Sequence, residues 1–114
     1  MNILESFNEV IEIDGVDYTF LIVVYPDDIC PADLTDDPED IKKLASGEIV
    51  ACGISVKVFD MSGNLDGEDS LWSCFLTPNQ LKAGALEVVA DSDMPVQALD
   101  DLRRKLKEIC KANS

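Results

Sequence analysis

Apolar and polar residues alternate on either side of Asp14-Gly15 in FNEVIEIDGVDYTFLIVVY, residues 7–25, the period-2 pattern of half-buried strands. Asp14-Gly15 breaks the alternation with a favoured two-residue turn, so the segment predicts a β-hairpin. A type I′ turn pairs Ile13 with Val16, Ile11 with Tyr18 and Phe7 with Ile22, all on one apolar face. On the opposite face Glu12 then stands directly across from Asp17, a like-charge pair that destabilises a sheet.

Two more strands are expected from EIVACGISVKVFD (48–60) and SLWSCFL (70–76). In the first, Val50, Cys52, Ile54, Val56 and Val58 line one face, while Ala51, Gly53, Ser55 and Lys57 line the other. Gly53 signals a bulge or the close approach of another backbone. Trp72, the only tryptophan, falls in the second strand with the parity of Cys74 and Leu76. That parity places it in the core, whereas an edge position would favour a binding platform. Between the strands, MSGNLDGED reads as a flexible acidic connection.

Helix signals fill the rest of the chain. Asp37 is suited to an N-cap, with Pro38 at the first helical position, Glu39 and Asp40 in the first turn and Gly47 at the end. Ile41, Leu44 and Ala45 give this short helix an apolar side. Thr77, Pro78 and Gln80 read as a capping box opening a helix to Ala90, although Gly84 weakens it and Leu86–Ala90 also reads as a short strand. A last helix spans 95–111, with Val96, Leu99, Leu102, Leu106, Ile109 and Cys110 in one stripe. Asp100–Arg104 and Asp101–Lys105 are favourable i,i+4 pairs on it. The order is β-β-α-β-β-α-α. It predicts an α+β fold in one domain over residues 1–114: an antiparallel four-stranded sheet of two hairpins, with helices packed on one face.

Charge adds a strong asymmetry to this outline. Net charge is −14, and residues 1–41 hold twelve acids and no base. The C-terminal RRKLKEICK complements its own helix end and can pair with the chain's acidic loops. PDDICPADLTDDPED, residues 26–40, contains seven carboxylates. Capping and the helix dipole explain Asp37, Glu39 and Asp40 but leave Asp27, Asp28, Asp33 and Asp36 without a local role. Such a field repels nucleic acid and anionic membrane and favours a basic protein partner.

Candidate chemistry narrows the function classes further. The chain has no histidine, which removes Ser-His and Cys-His nucleophile pairs. Neither a dinucleotide fingerprint nor a P-loop occurs. DMSGNLDGEDS fails as a calcium loop in both registers tried, with Leu65 at the glycine position in one and Ser73 at the glutamate position in the other. The four cysteines at 30, 52, 74 and 110 lack metal-ligand spacing. Cys52, Cys74 and Cys110 read as small buried hydrophobes. Carboxylates around Cys30 would raise its pKa and make it a poor nucleophile.

These features indicate a non-enzymatic protein with no cofactor and no metal. The longest apolar run near the front, Phe20–Val24, is far short of a membrane span. Met1–Glu5 lacks a secretory pattern, so a cytosolic location is expected. The first functional expectation is an inhibitor or decoy of the nucleic-acid-mimic type, in the manner of anti-CRISPR, anti-restriction or nuclease-immunity proteins as classes. It would occupy the basic surface of a nucleic-acid-handling protein with Glu12, Asp17, Asp27, Asp28, Asp33, Asp36, Asp66, Glu68 and Asp69, provided their loops converge. The second is a chaperone or assembly adaptor that holds an apolar client on the open sheet face or an edge strand. A third is a structural domain whose charge serves solubility alone.

Overall fold

The computed structural model describes residues 3–27, 36–60 and 63–112, with the side chains of Ser73 and of residues 110–112 outside that description. Four strands form one antiparallel sheet in chain order: β1 (Glu5–Ile13), β2 (Val16–Pro26), β3 (Val50–Phe59) and β4 (Asp66–Leu76). Helix α1 (Pro38–Ser46) joins β2 to β3. A 3₁₀ turn (Pro78–Gln80), α2 (Leu81–Asp91) and α3 (Met94–Ala112) follow the sheet. The α+β class, the antiparallel sheet and helices packed against it are therefore as the residue pattern predicts.

The first hairpin has the expected register. Ile13 pairs with Val16, Ile11 with Tyr18, Phe7 with Ile22 and Glu12 with Asp17. Positive φ at both Asp14 (54°) and Gly15 (82°) is what a type I′ turn requires, and glycine meets that requirement without a Cβ penalty.

The core lies between one sheet face and helices α2 and α3. Phe20, Ile22 and Val24 from β2 join Cys52, Ile54, Val56 and Val58 from β3. Ala85 and Val89 of α2, with Met94, Ala98, Leu99 and Leu102 of α3, cover them. Burying each large side chain contributes about 1.5–3 kcal/mol. At Gly67 of β4, a Cβ would meet the Ala98 carbonyl and lie 2.6 Å from the Leu102 amide nitrogen. The absent side chain lets the α3 backbone rest directly on the sheet.

Helix α1 is capped as expected: the Asp37 carboxylate accepts from the Glu39 amide at 3.0 Å, and Gly47 ends the helix. It buries none of its residues, so the compact layer over the sheet is made by α2 and α3.

Several sequence expectations are corrected. Thr77 makes no side-chain cap bond, and Pro78–Gln80 is a 3₁₀ turn before α2 begins at Leu81. Leu86–Ala90 is helical, as the reading of a helix to Ala90 expects, and not the alternative strand. Strand β4 starts at Asp66, so Asp66, Glu68 and Asp69 lie on a strand and not in a connecting loop. The α3 stripe is buried only at its middle: Leu99 and Leu102 are covered, but Val96, Leu106 and Ile109 are exposed. Asp101 pairs with Lys105 as expected, at 3.3 Å, and also with Arg104 at 3.2 Å. Asp100 meets Arg103 instead of Arg104.

Trp72 is the largest departure. Cys74 pairs with Cys52 and Leu71 with Ile54, which leaves Trp72 and Ser73 together opposite Gly53. This bulge inverts the parity of β4. Trp72 therefore sits on the face opposite α2 and α3, which no helix among the described residues covers, not with Cys74 and Leu76, and is 48% exposed. Its strand is an edge of the sheet.

Candidate functional site: an acidic hairpin arm and the uncovered sheet face

Pairing between β2 and β3 begins at Phe20, so the first hairpin extends beyond β3 as an arm. Glu12, Asp14 and Asp17 lie on this arm, Glu5 and Glu9 lie further back on β1 opposite the part of β2 that pairs with β3, and residues 3–27 contain no lysine or arginine. The two-residue turn makes Ile13–Val16 a hydrogen-bonded pair, so the next pair, Glu12–Asp17, is non-hydrogen-bonded. Cα atoms in such pairs are about 4.5 Å apart. Both carboxylates are exposed. Among the described residues their charge is not offset by an ion pair: the cations that pair are Lys57, Arg103, Arg104 and Lys105, and their partners are Glu68, Asp100, Asp101 and Asp66.

The other candidate acids are placed differently. Asp27 lies past the end of β2, with its amide on the Ala51 carbonyl at 3.0 Å. Ten residues of extended chain, roughly 33 Å, separate it from Asp17. Asp36 is exposed just before the α1 cap. Asp28 and Asp33, like Cys30, lie outside the described residues.

Asp66 and Glu68 are engaged within the protein. Lys105 Nζ donates to the Asp66 carbonyl at 2.8 Å and lies 3.8 Å from its carboxylate. Glu68 accepts from Ser55 Oγ at 3.0 Å and Ser70 Oγ at 3.2 Å, and it meets Lys57 at 3.8 Å. Its amide donates to Asp101 Oδ2 at 3.1 Å. That bond, followed by Lys105 and Arg104, holds the Asp101 carboxyl below the usual carboxylate range. Asp69 is half-buried opposite Val56. The described site residues thus divide into the exposed pair Glu12–Asp17, the exposed Asp36 before α1, the internally paired Asp66 and Glu68, the half-buried Asp69, and Asp27 at the far end of β2.

The uncovered sheet face holds a feature that the residue pattern did not reveal. Trp72 stacks on Tyr25, with ring centroids 6.4 Å apart and planes 25° from parallel. The indole crosses Gly53, which lies between them on β3; a Cβ there would clash with the ring. Val23 and Ser55 are buried beside this pair, at 4% and 2% exposure. Gly53 was the available signal, since a glycine in a strand admits a neighbour's ring.

Beneath the hairpin arm, Ile11 and Ile13 of β1 face Leu86, Val89 and Ala90 of α2 and Val96 of α3 across a groove of about 430 Å³. Glu9 and Glu12 stand at its mouth.

Two cysteines lie at the far end of the core. Burial pushes the Cys52 thiol up to about 11, with smaller effects from Cys74 and Asp27. Burial, then Asp27, raises Cys74. Both are free thiols, and their high pKa values make them weak nucleophiles. Among the described residues, no group of three His, Cys, Asp or Glu side chains is placed to hold a metal ion, and no helix is long and apolar enough to cross a membrane. No protein-family model, curated protein or solved structure matches the chain.

Proposed function

We propose that this chain is a small acidic binding protein that occupies the basic surface of a nucleic-acid-handling protein as an inhibitor or decoy. One observation carries this reading: Glu12 and Asp17 are held side by side at an exposed cross-strand position on an arm without cations. Such a pair costs stability in the free protein. A cationic partner relieves the repulsion on binding, and the surrounding negative field speeds its approach. Asp66 and Glu68 serve the fold in this account, so the arm replaces the broader set of acids as the contact surface.

The test is capture with the intact protein at low and high salt, with identification of what is retained. A basic nucleic-acid-binding protein should be held at low salt, released at high salt and displaced by duplex DNA or RNA. Glu12→Lys with Asp17→Lys should abolish its retention. Failure to enrich any basic protein at low salt would remove the decoy function.

A second function is favoured by the Trp72–Tyr25 stack: an assembly adaptor that holds an apolar client on the uncovered sheet face. Exposed, stacked aromatics suit such contact because they are large and stiff. A client held this way stays bound as salt rises and is lost from Trp72→Ser, which separates the two functions in the same experiment.

A further inference from the structure

The open edge of β1 and the groove beneath it form one continuous recess. We propose that it receives an extended segment of the partner, in which basic residues alternate with apolar ones, as a fifth strand antiparallel to β1. This rests on the proposed docking of a basic protein and specifies where and how that docking occurs.

The edge has the required backbone chemistry. Because Ile13–Val16 is hydrogen-bonded, the odd residues of β1 turn their N–H and C=O groups toward β2. Those of Ser6, Asn8, Val10 and Glu12 point outward. The Glu5 carboxylate takes the Ser6 amide at 3.2 Å, so the usable stretch runs from Asn8 to Glu12. Strand β1 has no proline and keeps an unbroken register along its length. At the opposite edge, β4 is interrupted by its bulge, and Asp101 takes the outward Glu68 amide. Bulges and covered amides blunt an edge, so among the described residues β1 is the edge left available for strand addition.

Side-chain alternation then specifies the occupant. Residues of the added strand opposite Ile11 and Ile13 point down into the groove, toward Leu86, Ala90 and Val96. Apolar side chains belong there. The residue opposite Glu12 points to the other face, where a lysine or arginine lies beside the Glu12 carboxylate and in the field of Asp17, one strand further in. A second copy fits poorly because β1 against β1 sets acidic strands together, and each chain carries a net charge of −14.

The probes are two short capped peptides of the same composition, one alternating lysine and valine and the other with its lysines grouped at one end. At low salt the alternating peptide should bind about tenfold tighter, as one or two additional main-chain bonds provide, and should protect the Val10 and Glu12 amides from exchange. Val10→Pro blocks an outward amide without breaking the β2 ladder, and Val96→Asn places a neutral polar group in the groove at an exposed position. Each should weaken the alternating peptide about tenfold, with Val96→Asn deciding the matter if Val10→Pro disturbs the fold. Equal binding of both peptides, unaffected by either variant, overturns strand addition and leaves basic docking in place. No binding of either peptide overturns both. Dimerisation that Val10→Pro dissolves identifies a second copy as the occupant and also overturns the proposal.

Discussion

Trp72 occupies the space that a side chain on Gly53 would fill, and it reaches across that glycine to stack on Tyr25. Gly53→Ala should therefore expel the indole. The expected cost is about 1 kcal/mol, the scale of one aromatic pair, with a red shift of the tryptophan emission. Since Trp72 is the only tryptophan, fluorescence reports on this position alone. Unchanged emission in the variant would show that the ring does not lie over Gly53.

Gly67→Ala should be far more damaging. The new methyl meets helix backbone at Ala98 and Leu102, which cannot rotate aside as a side chain can. Overpacking of this kind costs about 3 kcal/mol or more. Urea denaturation measures it, and a loss below about 1 kcal/mol would mean that α3 does not sit closely on β4.

Glu12→Lys should stabilise the isolated protein while weakening its attachment to a basic partner. Replacing a facing like-charge pair by an opposite pair is worth about 0.2–1 kcal/mol. Thermal melts at low salt should show the gain, and added salt should reduce it. A destabilised variant would argue against repulsion across this pair.

Asp101 sets an acid limb to stability. Its folded pKa lies below the ordinary carboxylate value, first because the Glu68 amide donates to it and then because Lys105 and Arg104 are near. Its contribution is therefore complete above that ordinary value and is lost as pH falls through the folded pKa. Wild type should exceed Asp101→Asn in stability at neutral pH, and the difference should shrink toward zero in acid. A difference independent of pH between neutrality and the acid limb would rule out the carboxylate as its source.

Cys52 should react slowly in the native protein. With its thiol at about 11, roughly one molecule in a thousand carries the thiolate at pH 8, about a hundredfold fewer than for an ordinary cysteine. A thiol reagent applied to a Cys30→Ser, Cys110→Ser, Cys74→Ser background should label Cys52 at least about a hundredfold faster in urea than in buffer. The same shift gives stability that is present below the ordinary thiol range and lost as pH rises through about 11. Comparable labelling in both conditions would place Cys52 outside the core.

Local chemistry accounts for what could be read from the sequence. Asp14-Gly15 determines a turn, the turn determines register, and register places Glu12 against Asp17 without reference to the rest of the molecule. Asp37 and Gly47 bound α1 in the same local way. Trp72 was misplaced because a bulge changes strand parity, and its cause lies across the ladder at Gly53. The neutralisation of Asp66 and Glu68 depends on Lys105, Asp101 and Lys57, which are distant in sequence or on another strand. The α3 stripe identified an apolar side but not the length of sheet beneath it, so Leu106 and Ile109 extend past the covered region.

Strand order in the sheet equals strand order in the chain. Each ladder therefore closes between consecutive segments, and no strand waits for a distant partner before it can pair. Loop-closure entropy grows slowly with loop length, so the long β2–β3 connection containing α1 adds little to the search. A hairpin zipping outward from Asp14-Gly15 offers β3 its template, and β3 in turn offers one to β4. Such low contact order favours rapid assembly, with docking of α3 against Gly67 as the step that joins the chain's last segment to its sheet.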